Sequence, residues 1–255
     1  MPALLTVYTM PALSFRTYRR YAAKGGGTQL NKLFIGRTEV AQIDLGLPFG
    51  ISGKLWRKKC REALMMMADR GIRYACLPPG LRQQGREYGL LPCEDRPTLR
   101  RLAADAALDL LGNTAEQSHV LVYARMPSRE VLDCVHDLAE RCRYVSVAGG
   151  VWAESTARML LRNYGTASPG KGRAVQTLVL AFDPGCPIRG GEKVIDLTRE
   201  GMEGEEILRP HIGAAFRLQG LPRGRFYDAG PLLGHLYHHG ALERGDIRIW
   251  CRSTT

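Results

Sequence analysis

Apolar positions along this chain switch repeatedly between short continuous runs and stripes at helical spacing. After Ser52, a possible N-cap, the residues Trp56, Cys60, Ala63, Leu64 and Met67 recur at the 3.6-residue period and predict a helix to Arg70, stopped by Gly71. Residues 72–77 (IRYACL) read as a strand ended by Pro78-Pro79-Gly80, and residues 38–47, with Thr38, Val40 and Ile43, as a strand before the helix. Strand, helix and strand in that order suggest a first βαβ unit. Residues 78–93 are polar and glycine-bearing and predict a loop. From Arg96 or Pro97 to Leu111 a single helix is expected, with Leu99, Leu102, Ala103, Ala106 and Leu110 on one face and Gly112 as its stop.

A second set follows the same logic. Residues 119–124 (HVLVYA), 144–148 (YVSVA), 175–182 (VQTLVLAF) and 193–197 (KVIDL) are buried-strand candidates. Between them lie a helix opening at Pro127-Ser128, with Val131, Leu132, Val135, Leu138, Ala139 and Cys142 as its stripe, and a helix over 153–164. The latter should turn Ala157, Leu160 and Leu161 inward and stop at Gly165. Residues 199–228 show weak periodicity, 231–239 predict a short helix, and 247–251 (IRIWC) a last strand. Residues 1–38 are ambiguous: 14–21 suit a short helix or an extended segment, and Gly25-Gly26-Gly27 a loop. The alternation predicts an α/β fold with a mostly parallel, doubly wound, Rossmann-like sheet and helices on both faces. Three segments are expected: 1–112, 113–198 and a loop-rich 199–255, which one continuous domain could also contain. Ligands of such sheets bind beyond the strand carboxyl ends, so the loops after Ala124, Ala148 and Phe182 are the places to look.

Charge adds one asymmetry. The 255 residues carry a net +11. Residues 1–182 hold 26 basic and 15 acidic side chains, whereas 183–255 hold 10 of each. A basic first two-thirds suits a small anion, a nucleotide, nucleic acid or an acidic partner, and equally a well-solvated surface. Arg16, Arg19, Arg20 and Lys24, interleaved with Phe15, Tyr18 and Tyr21, could combine phosphate contact with base stacking, although no nucleic-acid-binding motif accompanies them. The seven cysteines are dispersed without a CxxC pair, which argues against a disulfide scaffold or zinc ribbon and suits a reducing cytoplasm. No apolar run reaches the roughly 18–20 residues of a membrane span, and the apolar N-terminus lacks a basic leader and is broken by prolines.

Candidate chemistry centres on residues 144–165. A hydrophobic strand runs into Gly149-Gly150 and then into an Ala-rich helix. Glycines there permit close backbone approach to an anion, and the helix amino end adds partial positive charge. Written as Ala148-x-Gly150-x-x-Ala153, the turn resembles that of a Rossmann-type dinucleotide-binding unit over about 20 residues. The resemblance implies NAD(P) or another nucleotide as ligand, with Gly149, Gly150 and Ala153 at the phosphates. Ala148 replaces the first glycine, Trp152 would crowd the turn, and no acid lies between Glu154 and Asp183 to bind a ribose. Lys171 and Arg173 could instead meet a phosphate, such as a 2′-phosphate. A purely structural use of the glycines, easing helix–sheet packing, is the other reading.

His235 and His239 stand at i and i+4, a metal-compatible spacing, but position 236 is Leu where a metalloprotease motif has Glu, and no third ligand is evident. There is no GxSxG elbow and no P-loop. Cys93 precedes a helix, yet Glu94 and Asp95 oppose activation of its thiol. No residue stands out as acid, base or nucleophile. The function expected is nucleotide or small-anion binding at the Gly-Gly turn. The alternative is a non-enzymatic interaction or regulatory protein whose basic part contacts an acidic partner or nucleic acid.

Overall fold

The computed structural model describes residues 7–9, 29–35, 38–44, 54–77, 79–166, 174–188, 191–198, 201–202, 206–215 and 229–253. The expectations for Ser14–Tyr21, the Gly25-Gly26-Gly27 loop, the Ser52 cap, Lys171, Arg173 and most of 199–228 lie outside these residues. Compactness divides the chain into two units, residues 1–95 with 213–248 and residues 96–212 with 249–255. Each is assembled from two stretches of sequence, which a segment-by-segment reading has no means of showing.

The first unit contains β1 (Val7–Thr9), β2 (Gln29–Ile35), β3 (Thr38–Asp44), α1 (Lys54–Asp69), β4 (Tyr74–Cys76), α2 (Arg82–Glu87) and β5 (Leu91–Pro92). Its sheet runs β2-β3-β1-β4-β5. β2 and β3 form an antiparallel hairpin, while β3–β1, β1–β4 and β4–β5 are parallel. The crossover through α1 therefore skips over β1. Cys60, Ala63, Leu64 and Met67 of α1 are fully buried against Ile43, Ile72, Ala75, Leu77 and Leu90, as their spacing predicts. The stretch expected to be a plain loop, 78–93, instead holds α2 and the two-residue β5. Neither is long enough to display a period.

The second unit opens with α3 (Arg96–Arg101) and α4 (Ala103–Leu111), two helices where one was expected. At Leu102 the backbone leaves the helical region (φ −101°, ψ 19°). The break shifts the inward face, so Thr98, Leu102, Ala103, Ala106, Ala107 and Leu111 are buried while Leu99 and Leu110 are not. Then come β6 (His119–Tyr123), α5 (Arg129–Ala139), β7 (Tyr144–Ala148), α6 (Trp152–Tyr164), β8 (Thr177–Ala181), β9 (Lys193–Asp196) and β10 (Ile207–Ala214). Ser128 caps α5 by accepting from Val131 N at 3.4 Å.

The six-stranded sheet runs β11-β10-β9-β8-β6-β7, β11 being Ile247–Ser253. The pairs β10–β9, β9–β8, β8–β6 and β6–β7 are all parallel. Four successive residues of β8, Leu178–Ala181, are buried, so both faces of that strand are covered. α4 packs on β8, α5 on β6 and β7, and α6 on β7. The fold is thus α/β with a mostly parallel sheet. α7 (Gly230–His238), with Leu232, Leu233 and Leu236 buried, belongs to the first unit. Among the described residues, no helix is long and apolar enough to cross a membrane.

Candidate functional site at the carboxyl edge of the parallel sheet

β7, which leads into Gly149-Gly150, is an edge strand, and its turn packs against the backbone leaving β6. Gly149 has φ +110°, a conformation that L side chains rarely adopt. A Cβ on Gly149 would stand 2.5 Å from Ala124 O, and one on Gly150 would overlap Arg125 O. The two glycines thus let two neighbouring loops meet backbone to backbone. Trp152 fastens the contact. It is buried, and its Nε1–H donates to Ala124 O at 3.0 Å. The ring therefore packs against the turn itself, its Cδ1 lying 2.8 Å from where a Cβ on Gly150 would stand. It also sets the face of α6. Trp152, Thr156 and Leu160 point inward, whereas Ala157 and Leu161, expected to be buried, are exposed. Ala153 is half-buried and donates its N–H to Gly150 O at 3.1 Å. Gly149, Gly150 and Ala153 are brought together in this turn; Lys171 and Arg173 lie outside the described residues.

The order of strands places a second feature beside the turn. β6 pairs with β7 on one side and β8 on the other in matching register, Tyr123 opposite both Ala148 and Ala181. The chain moves from β6 outward to β7, then returns across β6 to β8. The order in which the chain adds strands therefore reverses direction at β6, and the loops leaving β6 and β8 emerge side by side at the carboxyl edge.

Arg125 stands where those two loops meet. Its N–H donates to Asp183 Oδ2 at 2.8 Å, joining the two loops. Its exposed guanidinium reaches Gly185, with Nη2 3.1 Å from where a Cβ there would lie. A second arginine braces the β8 end: Arg100 Nη1 donates to Phe182 O at 2.7 Å, its guanidinium lies 5.0 Å from the centre of the Phe182 ring, and Nε is 3.9 Å from Glu130. Glu130 in turn accepts from the Ser128 hydroxyl at 2.9 Å. At the end of β9, Arg96 donates to Leu197 O. The buried Asp196 carboxylate there accepts from Thr198 N at 2.8 Å, Thr198 Oγ1 at 2.6 Å and Met202 N at 2.7 Å. Asp196, Arg96 and Arg100 order the loops, while Arg125 keeps an exposed charge. The sequence singled out the loops after Ala124 and Phe182, but Arg100 and Arg125 carry no motif; only the strand order marks them.

The other candidates lie elsewhere. Burial pushes the Cys60, Cys142 and Cys186 thiols up to about 11 and Cys251 to about 12. Burial chiefly, with Asp137 and Asp105 nearby, also raises Cys134. None of these is an activated nucleophile. His119, at the amino end of β6, shares a 2.9 Å hydrogen bond with Ser146 Oγ, and burial lowers its pKa. His136 shares one with Tyr164 OH at 2.9 Å. His235 and His239 are in the first unit. Among the described residues, no group of three or more His, Cys, Asp or Glu is placed to hold a metal ion.

No family model matches the chain, and no curated protein matches it. The solved structures that are similar in part include a dehydrogenase and a carbamoyltransferase candidate. The L-tryptophan dehydrogenase of Nostoc punctiforme is 12% identical over 74% of this chain, with a TM-score of 0.27. An aspartate carbamoyltransferase candidate from Trypanosoma cruzi is 10% identical over 79%, also with a TM-score of 0.27. The chain spans 62% of the dehydrogenase and 71% of the second protein. Similarity at this level assigns no function.

Proposed function

We propose that the second unit binds a small anionic ligand of the nucleotide class between the carboxyl ends of β6 and β8, with Arg125 as its charged contact. The observation that carries this reading is the reversal of strand order at β6. In open parallel sheets such a reversal leaves a crevice outside the strand ends, and ligands bind there. Right-handed crossovers in the two directions would put α5 and α6 on opposite faces, making the sheet doubly wound. Both helices then present their amino ends, and their partial positive charge, to the same edge. Ser128 caps α5, but no side chain caps α6.

In this reading Gly149 and Gly150 act by letting the β7 turn close against Ala124 and Arg125. The ligand lies on the β8 side of that contact. Lys171 and Arg173 are further candidate phosphate contacts on the strength of the sequence alone, and NAD(P) is one candidate ligand. The reading concerns binding, and assigns no catalytic group.

Thermal unfolding with NAD, NADP, ATP and S-adenosylmethionine tests it. A ligand at about 100 times its Kd stabilises by about 2.7 kcal/mol. One of the four should raise the Tm of the wild type, and Arg125→Ala, an exposed substitution, should abolish that rise without lowering the ligand-free Tm. No shift with any of the four, or an equal shift in Arg125→Ala, overturns the proposal.

A further inference from the structure

The histidines of α7 remain outside this reading. Leu232, Leu233 and Leu236 bury one side of the helix, and His235 is drawn in with them at 5% exposure. Its Nε2 is buried and has no hydrogen-bond partner among the described residues. An unsatisfied buried polar atom costs about 1–3 kcal/mol, so this nitrogen is the least satisfied feature of an otherwise apolar helix face. His239 follows one turn later. Its N–H donates to His235 O at 3.1 Å, which preserves helical geometry to that residue. The two imidazole centres are 4.5 Å apart, and Tyr74 of β4 lies 4.5 Å from the first ring and 5.7 Å from the second.

We infer that His235 and His239 form a two-histidine chelate for a borderline divalent cation of the zinc, nickel or copper class. A metal about 2.0 Å from one nitrogen of each ring would lie about 3 Å from each ring centre. Centres 4.5 Å apart then subtend an angle near a right angle at the metal, the cis arrangement of tetragonal and octahedral sites. Imidazole suits these ions better than it suits magnesium or calcium.

With no third protein ligand among the described residues, water would complete the coordination. His238 touches His239 edge-on at 5.2 Å. It sits three residues from His235 and is not part of the pair.

The test is equilibrium dialysis of the full chain with zinc, and electron paramagnetic resonance with copper, on the wild type, His239→Ala and His238→Ala. His239 and His238 are exposed, so neither substitution opens the core. Removing an outer-shell partner of a metal ligand typically costs about 10- to 100-fold in affinity; loss of the ligand itself should cost at least about that much. One metal per chain is expected, with His239→Ala at least about tenfold weaker, His238→Ala close to wild type, and copper showing splitting from two nitrogens. Absence of binding overturns the inference. So does equal weakening by both substitutions, or an affinity unchanged by His239→Ala.

Discussion

Replacing Gly149 by alanine tests whether the turn after β7 is a packing device. Two costs are separable. At φ +110° a side chain is strained by about 1–3 kcal/mol. The added Cβ would also stand 2.5 Å from Ala124 O, well inside van der Waals contact, and overpacking of this kind costs about 1–3 kcal/mol. Ala124 has little freedom to retreat, because its N–H donates to Ala148 O at 3.0 Å and its oxygen accepts from Trp152 Nε1. A loss of about 4 kcal/mol is therefore expected. At about 2–4 °C per kcal/mol, that lowers Tm by roughly 8–16 °C. Calorimetry on the wild type, Gly149→Ala and Trp152→Phe checks it. The phenylalanine variant loses the indole hydrogen bond and some packing, and should fall by a smaller amount, about 1–2 kcal/mol. Gly149→Ala within about 1 kcal/mol of wild type would show that the contact between residues 124 and 149 does not hold the turn, and the packing account would fail.

Other expectations concern acid, thiols and Arg100. His235 has a folded pKa of about 4 against an ordinary 6.5, so between those values the unfolded chain binds more protons. Its stabilising contribution should be complete above pH 6.5 and decline by about 3 kcal/mol as pH falls to 4; denaturant titrations at a series of pH values should show that slope, and His235→Leu should flatten it. Cys60, Cys142, Cys186 and Cys251, held at about 11 to 12, should react with a thiol reagent at pH 8 about a hundredfold or more slower than in denaturant, given an ordinary thiol value of about 8.5. Native-state labelling at the denatured rate would contradict their burial. Arg100→Lys keeps the charge but loses the planar group that caps Phe182, and should cost about 1–2 kcal/mol in chemical denaturation; an unchanged midpoint would make that contact ornamental.

The strands β6 to β9 were readable because each is a continuous apolar run between polar turns, as expected when both faces of a parallel strand are buried. β1 is only three residues long, and β10 contains Pro210 and Gly213, so neither displays a period strong enough to read. The inward face of α6 includes Leu160, as its spacing predicts, but not Ala157 or Leu161, because one contact, Trp152 to Ala124, sets the rotation of the helix and links residues 28 apart. The break at Leu102 was hidden for the opposite reason: leucine and alanine favour helix on both sides of it. Gly149 and Gly150 were visible as a turn, whereas their partner, the backbone of 124–125, was not. Arg100 and Arg125 gain meaning only from strand order, since Arg100 meets Phe182 across 82 positions of sequence.

The order in which the chain visits its two units has a consequence for synthesis. Residues 213–248 of the first unit lie between two stretches of the second, and β11 joins the six-stranded sheet only afterwards. On the ribosome, that sheet would wait at its β10 edge while α7 is made, leaving unpaired backbone groups open to a wrong partner. The first unit faces the mirror-image delay: β1 to β5 emerge early, but α7 arrives after the whole run from β6 to β10. Neither half can be expressed as an uninterrupted fragment with all its elements. A rearranged gene joining 1–95 directly to 213–248 through a short linker would be the natural way to obtain the first one alone.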